Sequence, residues 1–177
     1  QLGDDVGHKE MMNQTLMETT LLVKQGCSEL LPYVLEELGL VDAIAHMAER
    51  LNNSSSINVT FHKVEVLENI RLLDNVELSF YRIIQELLNN IMKYAESTYI
   101  DLFVTLNNEE LKLEIIDDGT GVIPSLDGHI NSFGLRNIVS RLQYIDAVMV
   151  RTARHQKGTT VVIRKSLNEK ENHNWSC

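Results

Sequence analysis

The segment from Gln85 to Ala95 carries polar side chains that could bind a metal ion and phosphate. Its sequence, QELLNNIMKYA, places Glu86, Asn90 and Lys93 in a narrow sector of a helix at about 100° per residue. Carboxylate and amide oxygens suit Mg²⁺, and an ammonium suits phosphate. The alternative is an ordinary solvated face. Apolar residues lie on the opposite side, which predicts packing against a core: Phe80, Ile84, Leu87, Leu88, Ile91 and Ala95.

A second group of residues, DDGTG at positions 117–121, follows an alternating strand pattern. The carboxylate of Asp117 could accept a hydrogen bond from an amino group such as that of adenine. Guanine has an oxygen at the equivalent position, so this contact would discriminate between the two bases. Gly119 and Gly121 would let the backbone approach a flat ring closely. The alternative is an ordinary Asp-Gly turn.

Two further glycine-containing segments come later in the chain. SFGLRNI, residues 132–138, has a glycine at a predicted helix start, where free N–H groups can bind an anion. Arg136 and Arg141 could add positive charge to this site. KGTT, residues 157–160, is a turn that leads into a predicted strand. The alternatives are a simple helix cap and a plain hairpin turn.

The elements that must position these residues can be predicted from hydrophobic periodicity. It predicts helices over 8–31, 36–52, 76–96 and 133–145, and strands over 57–66, 98–106, 110–117, 147–153 and 159–165. The irregular segment 119–132 predicts a loop long enough to be functional. Helices and strands mix without strict βαβ alternation. This predicts an α/β (α+β) two-layer sandwich, with a mixed, mostly antiparallel sheet covered on one face by about three helices.

Composition excludes several classes of protein. Of the 177 residues 44% are hydrophobic, which is enough for a core. The net charge is −9 without a run of Lys or Arg, so a nucleic-acid surface is not expected. The two cysteines, Cys27 and Cys177, show neither disulfide nor zinc spacing and favour a reducing compartment. No apolar stretch reaches about 18 residues, so no membrane contact is expected.

Taken in order, the four polar segments resemble the N, G1, G2 and G3 boxes of the GHKL ATPase superfamily. The resemblance covers roughly residues 57–165. Within the superfamily the sequence is most similar to sensor histidine kinases of the nitrate-sensor type. The similarity lies in three segments: FYRIIQELLNNIMKYA, GLRNIVSRL and, upstream, CSELLPYVLEELGLVDAIAHMAERL. It implies a Bergerat-type ATP-binding fold with ATP and Mg²⁺ as cofactors.

The resemblance also implies a role for each matching residue. Glu86 would polarise or orient groups near the phosphates and help to hold Mg²⁺. Asn90 would ligate Mg²⁺, Lys93 would meet phosphate, and Asp117 would bind the adenine amino group. Tyr94 departs from the family, which often has histidine there, and this departure concerns one lid or phosphate contact and not the fold. The remaining positions would shape the pocket, close its lid or lie near the base: Gly119, Gly121, Gly134, Leu135 and Thr159.

By the same resemblance, residues 1–34 would hold the second helix of a dimerisation hairpin, 35–166 the catalytic domain and 167–177 a flexible tail. From the residues alone, a helix over 8–31 that packs on its own domain is equally consistent. The acceptor histidine of the family lies in a Leu-His-Asp pattern, but here Gly3 stands where that histidine would be. Either the acceptor is lost or its helix lies upstream. We favour the second, because the stretch of about 25 residues between Gly3 and Ser28 is too short for two long antiparallel helices and their loop.

The resemblance therefore implies an ATP-dependent protein histidine kinase of a two-component phosphorelay. Its γ-phosphate would pass to a histidine outside this chain and then to a response-regulator Asp. Its partners would be that regulator and a second copy of the protein, bound through the hairpin. The domain would lie in the cytoplasm, and any membrane anchor would lie outside this chain. Two alternatives stay open. One is another superfamily ATPase such as an anti-sigma serine kinase, and the other is a catalytically silent module that binds ATP or docks a partner.

Overall fold

The computed structural model describes residues 31–66, 70–121, 133–154, 157–168 and 173–174. Nearly all of the predicted helix over 8–31, the stretch around Gly3 and most of the predicted loop over 119–132 lie outside the described residues. The chain divides into two compact units, residues 1–37 and 38–177. In the first unit, residues 31–37 are helical. Every candidate site residue lies in the second unit.

The second unit contains most of the first helix and all other described elements. In chain order, the elements are α1 (Leu31–Ser54), β1 (Asn58–Val66), β2 (Ile70–Arg71), α2 (Asp74–Tyr94), β3 (Tyr99–Leu106), β4 (Glu110–Asp117), α3 (Phe133–Tyr144), β5 (Val148–Ala153), β6 (Thr159–Ser166) and β7 (His173–Asn174). Within α1, the backbone of Gly39 is not helical, with φ 75° and ψ 170°. Among the described residues, no helix is both long enough and apolar enough to cross a bilayer.

Five strands form one sheet in the order β1-β3-β4-β6-β5. β1 runs parallel to β3, and every other neighbouring pair is antiparallel. Because a parallel pair needs a long crossover, α2 lies in the connection between β1 and β3. The free edge of β1 is partly covered by the side chain of Asn52, which accepts a hydrogen bond from Val59 N at 2.6 Å and donates to Val59 O at 2.8 Å.

Alternation along the central strands separates a buried face of the sheet from a half-exposed one. Residues of the buried face on β3, β4 and β6 are Ile100, Leu102, Val104, Leu106, Leu111, Leu113, Ile115, Asp117, Thr159, Val161, Ile163 and Lys165. The pairing register places Asp117 opposite Thr159 at one end of this face. The two polar residues are therefore carried into the interior by the same alternation that buries the leucines and isoleucines.

The helices supply the other layer of the core. On α2 the predicted apolar side is buried, and Phe80, Ile83 and Ile84 are wholly inaccessible to solvent. The part of α1 after its break buries one helical face through Leu40, Val41, Ala43, Ile44, Met47 and Ala48. Three helices and a mixed, mostly antiparallel five-stranded sheet confirm the predicted two-layer α/β fold. A separate antiparallel pair joins β2 to β7, and β7 lies within the predicted tail over 167–177.

The first turn of α2 contains a buried carboxylate, Glu77, whose side chain is 4% exposed. Its Oε1 accepts a hydrogen bond from Leu72 N at 3.1 Å and lies 3.5 Å from Arg71 Nε. Burial raises the pKa of Glu77 above its ordinary value of 4.5, although the Leu72 hydrogen bond and the Arg71 charge act in the opposite direction.

Glu77→Gln is expected to make the free energy of unfolding less dependent on pH. A raised pKa means that the folded protein binds this proton more tightly than the unfolded chain does. Glu77 therefore contributes stability below pH 4.5, and that contribution is lost as the pH rises through the raised folded-state pKa. Glutamine keeps an acceptor for Leu72 N but does not titrate. Urea unfolding of both proteins from about pH 4 to 8 measures the difference, and parallel stability profiles would contradict this assignment.

Candidate functional site

The last turns of α2 carry the acid, amide and ammonium groups that the sequence singled out. Glu86 is half-buried, Asn90 is buried and Lys93 is exposed. Glu86 and Asn90 are four residues apart and lie on the same side of the helix. The Asn90 side-chain nitrogen Nδ2 is buried, with no hydrogen-bond partner in the described part of the chain. Because an unpaired buried donor costs free energy, its environment suits a ligand that brings an acceptor.

Asp117, the last residue of β4, is only 1% exposed. Its Oδ1 accepts two hydrogen bonds, from Gly119 N at 2.8 Å and from Ser97 Oγ at 3.1 Å. Among the described residues, none donates a hydrogen bond to the second oxygen, Oδ2. The site thus contains a buried carboxylate whose Oδ1 accepts two hydrogen bonds, while its Oδ2 accepts none from the described residues.

Thr159, the first residue of β6, is completely buried opposite Asp117. Its hydroxyl Oγ1 also has no hydrogen-bond partner within the described ranges. Together with Asp117 Oδ2, the hydroxyl gives the end of the buried face donor and acceptor capacity that the described residues leave unused. A ligand that offers both an amino group and ring acceptors would match it.

Two glycines permit close approaches at this end of the fold. A Cβ atom on Gly119 would overlap the carbonyl oxygen of Ala95 and the hydroxyl of Ser97, so the backbone after β4 lies directly against the end of α2. A Cβ atom on Gly134 would overlap the carboxylate of Glu86, so the start of α3 lies against the polar face of α2. The structure therefore brings Gly119 and Gly134 against the C-terminal half of α2, and the fourth predicted segment lies next to the second through the pairing of Thr159 with Asp117.

The neighbouring acid, Asp118, is less buried than Asp117 and binds the backbone of the segment after α2. Its Oδ1 accepts hydrogen bonds from Thr98 N at 2.8 Å and Tyr99 N at 2.9 Å, and its Oδ2 accepts one from Thr98 Oγ1 at 2.6 Å. Slight burial acts to raise the pKa of Asp118, but these hydrogen bonds outweigh it and lower the pKa below its usual value. Asp118 thus ties the segment after α2 to the end of β4.

The remaining predicted residues occupy more varied positions. Gly121 is half-buried, and a Cβ atom there would lie at ordinary contact distance from Gly158 O. Leu135 is buried, which makes it part of the core at the start of α3. Arg136 is exposed. Arg141 lines a cleft of about 460 Å³ between α2 and α3, whose other lining residues are Asn75, Leu78, Ser79, Asn137, Ser140 and Tyr144.

Comparison with known protein families identifies this arrangement. Residues 75–169 match the model of the histidine kinase-, DNA gyrase B- and HSP90-like ATPases, which covers more than half of the chain. The chain belongs to this ATPase family. Membership implies ATP binding, and the matched range contains all the predicted site residues, from Glu86 on α2 to Thr159 at the start of β6.

Sensor histidine kinases are among the relatives of this ATPase domain. The chain is 26% identical over 136 residues to the sensor histidine kinase ComP of Bacillus subtilis, covering 76% of the chain and 17% of ComP. It is 27% identical over 167 residues to the histidine-protein kinase/phosphatase UhpB of Salmonella typhimurium, covering 92% of the chain and 32% of UhpB. The chain therefore spans less than a third of the length of these relatives.

Solved structures confirm the fold of the domain. The histidine kinase domain of the blue-light activated kinase from Erythrobacter litoralis superposes with a TM-score of 0.60 at 22% identity, covering 72% of this chain and 61% of that one. The histidine kinase AdeS of Acinetobacter baumannii gives a TM-score of 0.57 at 11% identity, covering 88% and 84%. At these identities the likeness concerns the fold alone.

The donor set of the ATPase domain suits ATP and a hard cation. Asp117 and Thr159 could hydrogen-bond a base, and the unpaired Asn90 Nδ2 could donate to a phosphate oxygen. The amide oxygen of Asn90 and the carboxylate of Glu86 are oxygens of the kind Mg²⁺ prefers. The described residues contain no group of three or more His, Cys, Asp or Glu side chains that could enclose a metal ion. A cation that completes its coordination with phosphate oxygens and water fits this sparse set.

Ser97 and Asp118 are site residues that sequence reasoning missed. Ser97 lies 20 residues before the carboxylate that it contacts, outside any regular element, and its sequence neighbours show no periodicity. Only the parallel crossover and the antiparallel pairing of β3 with β4 bring these positions together. The sequence DDGTG shows two adjacent carboxylates, but it does not show which of the two faces the interior.

Proposed function

We propose that this ATPase domain binds Mg-ATP at the end of the buried sheet face and transfers the γ-phosphate to a histidine side chain outside this chain. The supporting observation is the carboxylate of Asp117, which is buried and hydrogen-bonded through Oδ1, and whose Oδ2 receives no hydrogen bond from the described part of the chain. Adenine carries an amino group that can donate to Oδ2, whereas the oxygen of guanine would be repelled by it. The hydroxyl of Thr159 lies opposite and can bond the ring or a water beside it.

The phosphates would extend from the base toward the polar face of α2. Asn90 and Glu86 would hold Mg²⁺, and the ammonium of the exposed Lys93 would meet phosphate oxygens. When bound, Mg²⁺ neutralises charge on the phosphate oxygens. The N–H groups at the start of α3, next to Gly134, would add hydrogen bonds to anionic oxygens. Phosphoryl transfer needs mainly positioning and charge stabilisation, which these residues supply.

In this proposal the protein acts as one part of a two-component signalling pathway. The acceptor histidine would come from a dimerisation hairpin, on the same full-length protein or on its partner copy. The phosphoryl group would then pass to an aspartate of a response regulator in the cytoplasm. Two observations support this proposal: the relatives are sensor histidine kinases, and the sequence around Gly3 lacks the Leu-His-Asp pattern of an acceptor.

The chain is expected to bind Mg-ATP but to acquire little or no acid-labile phosphate. Titration calorimetry measures binding, and incubation with γ-labelled ATP followed by acid treatment measures histidine phosphorylation. Absence of any heat would indicate a catalytically silent module that docks a partner without binding ATP. Robust acid-labile labelling would place an acceptor within this chain. Acid-stable labelling of a serine in a partner protein would favour the serine-kinase alternative.

A further inference from the structure

We propose that Ser97 is a positioning residue that fixes the carboxylate of Asp117 for recognition of the purine 6-amino group. This inference rests on the proposed binding of ATP. Ser97 Oγ donates to Asp117 Oδ1 at 3.1 Å, and both residues are buried. Ser97 lies just beyond α2, whereas Asp117 ends β4, so this hydrogen bond joins the helix layer to the sheet beside the site.

Ser97 determines which carboxylate oxygen is available to a ligand. Gly119 N donates to the same oxygen, Oδ1, at 2.8 Å. Two donors that converge on one oxygen from different segments oppose rotation of the carboxylate. Within the described part of the chain, Oδ2 is then left as the acceptor without a donor. Without the Ser97 hydroxyl, the N–H of Gly119 would be the one donor among the described residues that still orients the carboxylate, and a rotated group would present Oδ2 less often.

The position of Ser97 is itself constrained on both sides. The next two residues, Thr98 and Tyr99, donate three hydrogen bonds to the carboxylate of Asp118. On the preceding side, Ala95 O accepts a hydrogen bond from Thr120 N at 2.7 Å. The segment that carries Ser97 is thus attached to the end of β4 at two points. A hydroxyl on such a segment loses little further freedom when it orients Asp117.

The test compares ATP with purine riboside triphosphate, which has hydrogen in place of the 6-amino group. In the Mg-bound form, the unsubstituted protein is expected to bind ATP more tightly than the analogue. Ser97→Ala is expected to reduce this preference by roughly threefold to tenfold, the equivalent of one neutral hydrogen bond. Affinity for the analogue should change little, because that ligand makes no contact through the amino group. Ser56→Ala, at an exposed position, is the control and should leave both affinities unchanged.

The outcomes separate this inference from the proposed function. If Ser97→Ala weakens ATP and the analogue equally, the serine has only a structural role and the inference is wrong. If Asp117→Asn abolishes the preference but Ser97→Ala does not change it, the inference again fails, while the proposed function stands. If the unsubstituted protein shows no preference for ATP over the analogue, the base contact itself is absent and both proposals fall. A reduced preference with unchanged analogue affinity supports the positioning role.

Discussion

Asp117→Asn is expected to lower the affinity for Mg-ATP about tenfold to hundredfold, which corresponds to about 1.5–3 kcal/mol for a charge-assisted hydrogen bond. The reason lies in the two donors that already occupy one side of the carboxylate. If the new amide directs its oxygen toward Gly119 N and Ser97 Oγ, its NH₂ group faces the adenine amino group. If it turns over, the NH₂ group faces two protein donors instead. Either orientation places donors against donors in a buried site.

The same substitution should alter the choice of base as well as the affinity. An amide NH₂ directed at the ligand can donate to the 6-oxygen of inosine triphosphate, so the loss for that nucleotide should be smaller than for ATP. Titration calorimetry of both nucleotides measures the two changes. Asp146→Asn is a matched control, because Asp146 is exposed and has a positive φ of 51° that asparagine also tolerates. Unchanged ATP affinity in Asp117→Asn would remove the basis of the proposed base contact.

The sequence predicted the layers of the fold because the periodicities are local. The alternation from Leu111 to Ile115 requires only that one face of a strand is buried, and β4 has that pattern. Similarly, the apolar stripe of α2 follows from helical geometry, and it is buried as predicted. The parallel pairing of β1 with β3 has no such local signal. It depends on the crossover through α2, which only the folded chain shows.

The candidate site was predictable to a smaller extent. Asp117 and Gly119 follow directly from a recognisable strand end, and the structure joins them by a hydrogen bond. The contact of Gly134 with Glu86 involves residues 48 positions apart, and no spacing rule specifies it. The roles assigned to Asn90 and Lys93 stay predictions. The unpaired Nδ2 of Asn90 is the structural observation that favours a ligand at that position.

The site depends on contacts between the segment after β4 and the end of α2. Thr120 N donates to Ala95 O, Asp118 accepts from Thr98 and Tyr99, and Gly119 fills the space between them without a side chain. These contacts connect the proposed base-binding carboxylate to the helix that presents the proposed phosphate-binding groups. A small displacement here would therefore affect both halves of the proposed nucleotide site, although it lies outside the hydrophobic core.

Gly119→Ala is accordingly expected to abolish measurable Mg-ATP binding while the domain stays folded. The added Cβ would overlap the Ala95 carbonyl oxygen and the Ser97 hydroxyl and would lie 2.8 Å from Ala95 Cβ. Two of these neighbours belong to a helix end that cannot rotate away, so the turn after β4 must shift. The shift would weaken the hydrogen bonds of Gly119 N to Asp117 and of Thr120 N to Ala95. Overpacking of this kind costs about 1–3 kcal/mol of stability.

Gly121→Ala provides the comparison for this substitution. A Cβ atom at Gly121 would lie 3.6 Å from Gly158 O, an ordinary contact, although the φ of 77° disfavours alanine. That backbone strain should cost about 1–2 kcal/mol without displacing Asp117. Urea unfolding should show similar losses of stability in the two variants. Calorimetry should show a far larger loss of ATP binding in Gly119→Ala than in Gly121→Ala. An ATP affinity in Gly119→Ala equal to that of the unsubstituted protein would show that close contact between β4 and α2 is not needed for binding, because the turn can shift without disturbing the carboxylate.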